Sequence, residues 1–202
     1  MSTRKSKLTS QRWDEEYKAG AHWEKEHSSQ MQYFVTYLKP GAAVLDAGCG
    51  SGRDSLFLAR QGYTVIGIDI SEEAIKKAKA RATEEGLAIR FDVGILEKLP
   101  YTDQEFDAIY SGYTLQHTDL EKTCKELARV LKKDGLAYIV MFEKTAYEKP
   151  GPYDTNIEHD FILNTFSQFF TVTKEQTDEY NEEDQHGRHM HRRLVLVLSK
   201  HL

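Results

Sequence analysis

At 202 residues the chain fits one globular domain with a full-sized core. Apolar residues make up 40% and charged residues 29%, with a formal net charge of −5, a balance that points away from nucleic acid and anionic membranes. The basic start (Arg4, Lys5, Lys7) has no apolar stretch behind it, and the longest aliphatic run, Leu194 to Leu198, is too short to span a bilayer.

In chain order, Val44–Ala47 reads as a short apolar strand and Gly52–Gln61 as a helix burying Leu56, Phe57 and Ala59. Tyr63–Ile68 is a second strand, β-branched at Thr64, Val65 and Ile66. Ser71 caps the next helix, Glu72 and Glu73 complement its positive end, and Gly86 stops it. Leu87, Ile89 and Phe91 alternate with polar neighbours, predicting a third strand, and Phe106–Ser111 a fourth. Leu120, Cys124, Leu127, Ala128 and Leu131 share one face of a helix that Gly135 would close. Leu136–Phe142 is a buried fifth strand. Ile157–Phe166 reads as a helix, and Phe169–Lys174 with Arg193–Ser199 as a closing strand pair. Strand and helix alternate through residue 142, which predicts an α/β fold with a parallel sheet, helices on both faces and a ligand at the carboxyl ends of the strands.

The stretch VLDAGCGSGRDS, residues 44 to 55, sits at that edge, with three glycines in five positions between strand and helix. Such a turn lets a ligand approach backbone N–H groups and the positive end of a helix. A dinucleotide site would read G-x-G-x-x-G, but here Gly48, Gly50 and Gly52 leave Arg53 where that pattern needs glycine. Asp46, two residues before Gly48, repels a pyrophosphate and suits an ammonium group. Asp69, at the end of the second strand, suits ribose hydroxyls. Ribose plus ammonium without pyrophosphate describes S-adenosylmethionine. An NAD-dependent oxidoreductase remains an alternative, weakened by the missing glycine and the lack of room for a substrate domain.

VLDAGCGSG, VIGIDIS, LPYTDQEFDAIYS and the strand GLAYIV resemble, in order and spacing, the class I S-adenosylmethionine-dependent methyltransferases, over residues 40 to 143. The resemblance implies a Rossmann-like, doubly wound, seven-stranded sheet, mostly parallel with an antiparallel C-terminal strand. It implies S-adenosyl-L-methionine as cofactor and S-adenosyl-L-homocysteine as product. Gly48, Cys49 and Gly50 would line the methionine part, with Asp46 and Arg53 beside it. Asp69 would hold the ribose, Ile70 would lie against the adenine, and Ser111 would reach the cofactor's backbone. Where relatives often read G-D-A-E before Leu-Pro, this chain reads Gly94-Ile95-Leu96-Glu97. The adenine contact would then fall to the backbone around Ile95 and Leu96, with Asp92 a substitute for the missing acid.

QRWDEEYKAGAHWEKE, residues 11 to 26, places Trp13, Tyr17 and Trp23 ahead of the core. It reads either as a helix docked by its aromatics or, by resemblance, as the N-terminal lid of the thiopurine and tellurite-resistance methyltransferases, with Trp13 and Tyr17 on the cofactor. EKPGPYD, residues 148 to 154, is similar to a loop after the fifth strand in the thiopurine group. The expected organisation is a single domain, 1–202, with a lid in 1–30, a cofactor-binding core in 40–143, and an acceptor-side loop and strand pair in 144–202.

Methyl transfer from a sulfonium is an in-line displacement that needs a general base only when the nucleophile must lose a proton. Tyr110-Ser111-Gly112-Tyr113 replaces the Asn-Pro-Pro-Tyr stretch of amino-methylating nucleic-acid enzymes, so no nucleic-acid substrate is expected. The two lid and loop resemblances favour a small acceptor such as a thiol or chalcogen anion, near Tyr17, His117, Glu143 and Tyr153. An O- or N-nucleophile (a quinol, an amine) and cofactor binding without catalysis are the alternatives. His186, His189 and His191 read as a solvated hairpin turn and no metal site; Asp178 to Asp184, with five acids, reads as an exposed loop. Two cysteines, Cys49 and Cys124, make no disulfide framework and suggest a reducing cytoplasm. The expected form is a monomer or homodimer with a small-molecule partner and no membrane.

Overall fold

The computed structural model describes residues 10–20, 28–144, 157–184 and 187–201. A short helix α1 (Ser10–Ala19) and a single turn α2 (Met31–Phe34) precede the alternating segment. That segment runs β1 (Ala43–Ala47), α3 (Arg53–Arg60), β2 (Thr64–Asp69), α4 (Glu72–Glu84), β3 (Arg90–Val93), β4 (Phe106–Gly112), α5 (Leu120–Val130) and β5 (Leu131–Glu143). Helix α6 (His159–Phe166) and the hairpin β6 (Phe170–Asp184) and β7 (Gly187–Lys200) complete the chain.

The seven strands form one sheet in the order β3-β2-β1-β4-β5-β7-β6. Pairings from β3 to β5 are parallel, and β7 runs antiparallel to both of its neighbours. This is a doubly wound, Rossmann-like architecture, with one reversed strand near the C-terminus. Winding goes outward from β1 through β2 to β3 and then returns to β4, so the reversal falls between β1 and β4. The glycine loop leaves β1 at that point, where open α/β sheets take their ligands.

Alternation along the strands sends neighbouring side chains to opposite cores. Val44, Tyr110, Tyr138 and Val140 pack with Met31, Phe34 and Leu58 on the α2–α3 face. Leu45, Ile109, Ile139 and Leu196 pack with Leu120, Leu127, Ile162 and Phe166 on the α5–α6 face. A third cluster, Leu56, Ile75, Ala78, Ala82 and Phe91, seats α4 beside α3 under the glycine loop.

Several boundaries differ from those read in the sequence. The third strand begins at Arg90, because Gly86 and Leu87 turn back to cap α4, through Gly86 N–H to Thr83 O (3.1 Å) and Leu87 N–H to Ala82 O (2.9 Å). Helix α5 ends at Val130, and Leu131 is already paired with Phe106 across a register shift before Ala108. Gly135 therefore closes no helix. A Cβ there would lie 2.6 Å from Leu131 Cδ1 and 2.9 Å from the Asp107 carbonyl, so glycine lets β5 pass that shift.

The acid-rich stretch lies in strand β6, where a loop was expected. Its register sets Asp178 opposite Arg193 and Glu179 opposite Arg192, and such opposite-charge cross-strand pairs stabilise pairing. His186 lies outside the described residues, and His189 and His191 are in β7. His191 is no solvated turn residue: it is buried and stacks on Phe142 at 4.4 Å. Among the described residues no helix is long and apolar enough to cross a membrane.

Gly52 opens α3 with φ +82°, and a Cβ there would lie 2.9 Å from that of Ala78 and 3.1 Å from the Phe91 ring. Gly52→Ala should destabilise the domain by about 2–4 kcal/mol, left-handed strain plus overpacking. Urea unfolding reads this directly, and an unchanged midpoint would mean that α4 yields to the methyl group without cost.

Candidate cofactor site

The glycine loop is held by β2. Gly48 N–H and Cys49 N–H both donate to the Ile68 carbonyl (2.8 and 3.0 Å), Gly50 N–H donates to Asp69 Oδ2 (2.9 Å), and Gly52 N–H donates to the Cys49 carbonyl (3.0 Å). Four of the loop's N–H groups are thus engaged inside the protein. What the glycines give the loop is curvature and close approach by its neighbours. Gly48, Gly50 and Gly52 all have positive φ. A Cβ on Gly48 would meet the Thr114 side chain at 2.3 Å, and one on Gly50 would meet the Tyr17 hydroxyl at 2.3 Å. The Cys49 thiol turns under the loop, 2.9 Å from where a Cβ of Gly67 would stand, so only its backbone faces the opening. Burial raises that thiol's pKa. From α4, Arg81 Nη1 donates to the Ser51 carbonyl (3.2 Å) and hydroxyl (3.0 Å), pinning the loop's far side.

Two buried carboxylates mark the strand ends. Asp69 accepts Gly50 N–H on one oxygen and Ser71 N–H on the other, each at 2.9 Å. Each oxygen keeps a further lone pair, so the group can still accept from a ligand's hydroxyls. Burial raises its pKa, against the lowering effect of these bonds. Asp46 accepts the Ser55 hydroxyl at 2.6 Å, and burial, with the Asp54 charge adding, pushes its carboxyl up to about 7. Asp54 in turn accepts Ser28 N–H at 2.7 Å and lies 3.6 Å from the Arg53 guanidinium.

Past β2, Ile70 is half-buried and Ile95 is 45% exposed, while Leu96 points into the core. Gly94 N–H donates to the Asp69 carbonyl (2.9 Å), bringing the 94–96 backbone beside the β2 end. Asp92 is engaged by the Arg90 guanidinium (2.9 Å) and the Tyr101 hydroxyl (3.1 Å). The Ser111 hydroxyl donates to the Ala47 carbonyl at 2.7 Å and is fully buried, so it braces β1 against β4. Just beyond, Tyr113 adopts φ +56°, a strained conformation for a bulky residue, at the exit from β4.

Helix α1 lies over this edge. Asp14 Oδ1 accepts the Ser71 hydroxyl (2.6 Å) and Glu73 N–H (3.1 Å), and the Ser71 contact holds its pKa below the usual value. Lys77 Nζ donates to the Tyr17 carbonyl. Tyr17 is buried over Gly50, and the Trp13 ring meets the His117 ring edge-on at 5.2 Å. Burial, with the Arg12 charge adding, lowers His117 to about 4. Glu143, fully enclosed at the end of β5, pairs with Arg192 Nε (2.8 Å) and His159 Nδ1 (2.6 Å). Trp23, Tyr153 and the EKPGPYD loop lie outside the described residues. Among those described, no group of three His, Cys, Asp or Glu is placed to hold a metal.

Trp13, Tyr17, Asp46, the glycine loop, Asp69, Ile70, Ile95 and His117 thus gather at one edge of the sheet. Asp14, Lys77, Arg81 and Thr114 were missed in the sequence. Each acts across a contact between elements far apart in the chain, and only the Ser71 capping position was legible.

Residues 45–139 match the family model described as a methyltransferase domain. An uncharacterized methyltransferase of Bacillus subtilis, YcgJ, is 38% identical over 99 residues, 48% of this chain and 39% of the relative. A ubiquinone biosynthesis O-methyltransferase of Bartonella bacilliformis is 35% identical over 106 residues, 52% of this chain and 43% of that protein. The aligned region thus spans less than half the length of these curated relatives. TehB from Haemophilus influenzae superposes with a TM-score of 0.74 at 20% identity, over 93% of this chain and 67% of its own. A TehB-like SAM-dependent methyltransferase from Corynebacterium glutamicum does so at 0.69 and 22% identity, over 95% and 98%.

Asp46 sets a pH dependence. Its carboxyl is raised, so it is largely protonated below about pH 7, and a ligand ammonium placed against it favours the ionised form. Affinity for such a ligand should therefore rise with pH through 7, and binding below that pH should release a proton. Calorimetry in buffers of different ionisation enthalpy counts the proton; affinity flat from acid to alkaline would take the ammonium away from Asp46.

Proposed function

We propose that this protein, whose core is a class I S-adenosylmethionine-dependent methyltransferase domain, moves the methyl group of that cofactor to a small-molecule acceptor. The residues suit the cofactor. Asp69 keeps acceptor capacity for ribose hydroxyls, Asp46 offers a carboxylate to an ammonium, and Gly50 lets Tyr17 of α1 close directly over the loop. The engaged loop N–H groups argue against a pyrophosphate, and so against a nicotinamide dinucleotide.

When bound, the cofactor supplies an electrophilic methyl carbon on a sulfonium. In-line attack by the acceptor's lone pair would move the carbon–sulfur pair to sulfur and give S-adenosylhomocysteine and a methylated acceptor. The chain's part is to hold the two partners in line and exclude water. In our reading α1, as the lid, excludes the water.

One observation supports a soft, readily ionised acceptor, a thiol or chalcogen anion: His117 lies against the Trp13 ring, and burial, with the Arg12 charge adding, lowers its pKa to about 4 and makes it a poor base toward an alcohol, a phenol or an ammonium. Glu143 is enclosed and engaged by Arg192 and His159, and is poorly placed to serve as base instead. Sulfur chemistry also figures in a structural neighbour described by conversion of a disulfide bond into a thioacetal group, TM-score 0.73 at 21% identity. The second reading is an oxygen acceptor, favoured by the Bartonella relative's name.

Production of S-adenosylhomocysteine over thiols, selenite, tellurite, quinols and amines tests the proposal. We expect turnover with thiols or chalcogen anions. Turnover confined to quinols or amines would replace the acceptor, and cofactor binding with no turnover at all would leave a binding protein. Asp69→Asn, which keeps an acceptor for one backbone N–H, should weaken S-adenosylmethionine binding by roughly 1.5–3 kcal/mol, the range for hydrogen bonds to a charged group. Unchanged affinity would remove Asp69 from the ribose.

A further inference from the structure

Helix α1 is a short, polar helix with Tyr17 as its one buried residue. A helix of that length is marginal by itself, so its docking depends on the few contacts that hold it. Those contacts form a closed circuit. Asp14 accepts the Ser71 hydroxyl and Glu73 N–H, two groups at the start of α4 where a negative charge is favourable. The same Ser71 hydroxyl accepts Ala74 N–H at 3.0 Å as the cap of α4. Ser71 N–H donates to Asp69, the other oxygen of Asp69 takes Gly50 N–H, and over Gly50 lies the Tyr17 hydroxyl, back on α1.

We propose that Asp14 is a latch: through Ser71 it couples the docking of α1 to the carboxylate of Asp69, so that filling the ribose end closes the helix over the glycine loop. This rests on the reading that Asp69 takes the ribose. The sign follows from the residue they share. Ser71 N–H is held by Asp69, and the Ser71 hydroxyl is held by Asp14. Ribose hydroxyls donating to Asp69 would fix that carboxylate, and with it the start of α4, so that the Ser71 hydroxyl and Glu73 N–H stay aimed at Asp14. Asp14 then stays seated and α1 stays closed. Conversely, a docked α1 fixes Ser71, and with it the orientation of Asp69, before the ribose arrives. Coupling between two sites is reciprocal, so losing the latch must weaken the ligand as much as losing the ligand loosens the latch. Asp14 is thus a positioning residue, acting through Ser71.

Hydrogen exchange on residues 10–19 of the full chain, with S-adenosylhomocysteine, adenosine or 2′,3′-dideoxyadenosine, tests the latch. In the wild type, S-adenosylhomocysteine and adenosine should protect α1, and the dideoxy nucleoside, lacking the hydroxyls, should not. Asp14→Ala should abolish that protection, leave exchange in the sheet unchanged, and make S-adenosylhomocysteine dissociate about tenfold faster, the loss of one charge-assisted bond. Asp14→Asn, which still accepts from the Ser71 hydroxyl and Glu73 N–H, should restore most of the protection. The latch is overturned if α1 is equally protected with and without ligand, if both nucleosides protect alike, or if Asp14→Ala keeps the ligand-induced protection. A wild type that binds neither S-adenosylhomocysteine nor adenosine overturns the cofactor reading itself, and the latch with it.

Discussion

The carboxylate of Asp69, buried at the end of β2, accepts one backbone N–H from the glycine loop and one from the start of α4. A charge in that position is costly unless it is hydrogen-bonded, and the two bonds that satisfy it also decide where loop and helix stand. The loop cannot move without leaving an oxygen of Asp69 short of a donor, and α4 cannot slide without doing the same to the other.

Helix α4 carries that constraint outward. Its first turn receives α1 through Asp14, Lys77 holds the Tyr17 carbonyl, Ala78 packs under Gly52, and Arg81 grips Ser51. Four positions along one helix thus fix both the floor and the cover of the site. The glycines make sense in the same terms. They give the loop its left-handed turns and let Thr114, Tyr17 and Ala78 approach to distances a side chain would forbid. The glycine pattern that resembles a phosphate cradle serves close packing here, with its N–H groups turned inward.

The β5–β7–β6 side of the sheet is built differently. Around the ends of β4 and β5, Tyr113 packs on Phe142 at 4.7 Å, Phe142 stacks on His191, and Arg193 pairs with Asp178. On the opposite face Glu143 joins β5, β7 and α6 through Arg192 and His159, and His159 reaches Glu175 on β6 at 3.1 Å. The long hairpin is therefore tied to the parallel sheet by charge on one face and aromatic packing on the other. Buried charge of this kind adds little net stability, but it penalises any other register of the hairpin.

By itself the sequence determined the alternating α/β order, the glycine loop at the first strand end, the acids at positions 46 and 69, and the capped helix after Ser71. These are local signals: hydrophobic period, capping chemistry and glycine spacing are written in neighbouring residues. Only the tertiary structure decided that Gly135 relieves a register shift, that Asp178–Asp184 is strand, that Ser111 braces two strands and that His191 is buried. Each of these depends on a partner distant in the chain, whether the Asp107 carbonyl, the arginines of β7, the Ala47 carbonyl or the Phe142 ring. Asp14 shows the limit most clearly. In sequence it is one acid on a polar helix, and it acquires a role only when folding sets it against Ser71, 57 residues away, because a hydrogen bond is decided by distance in space.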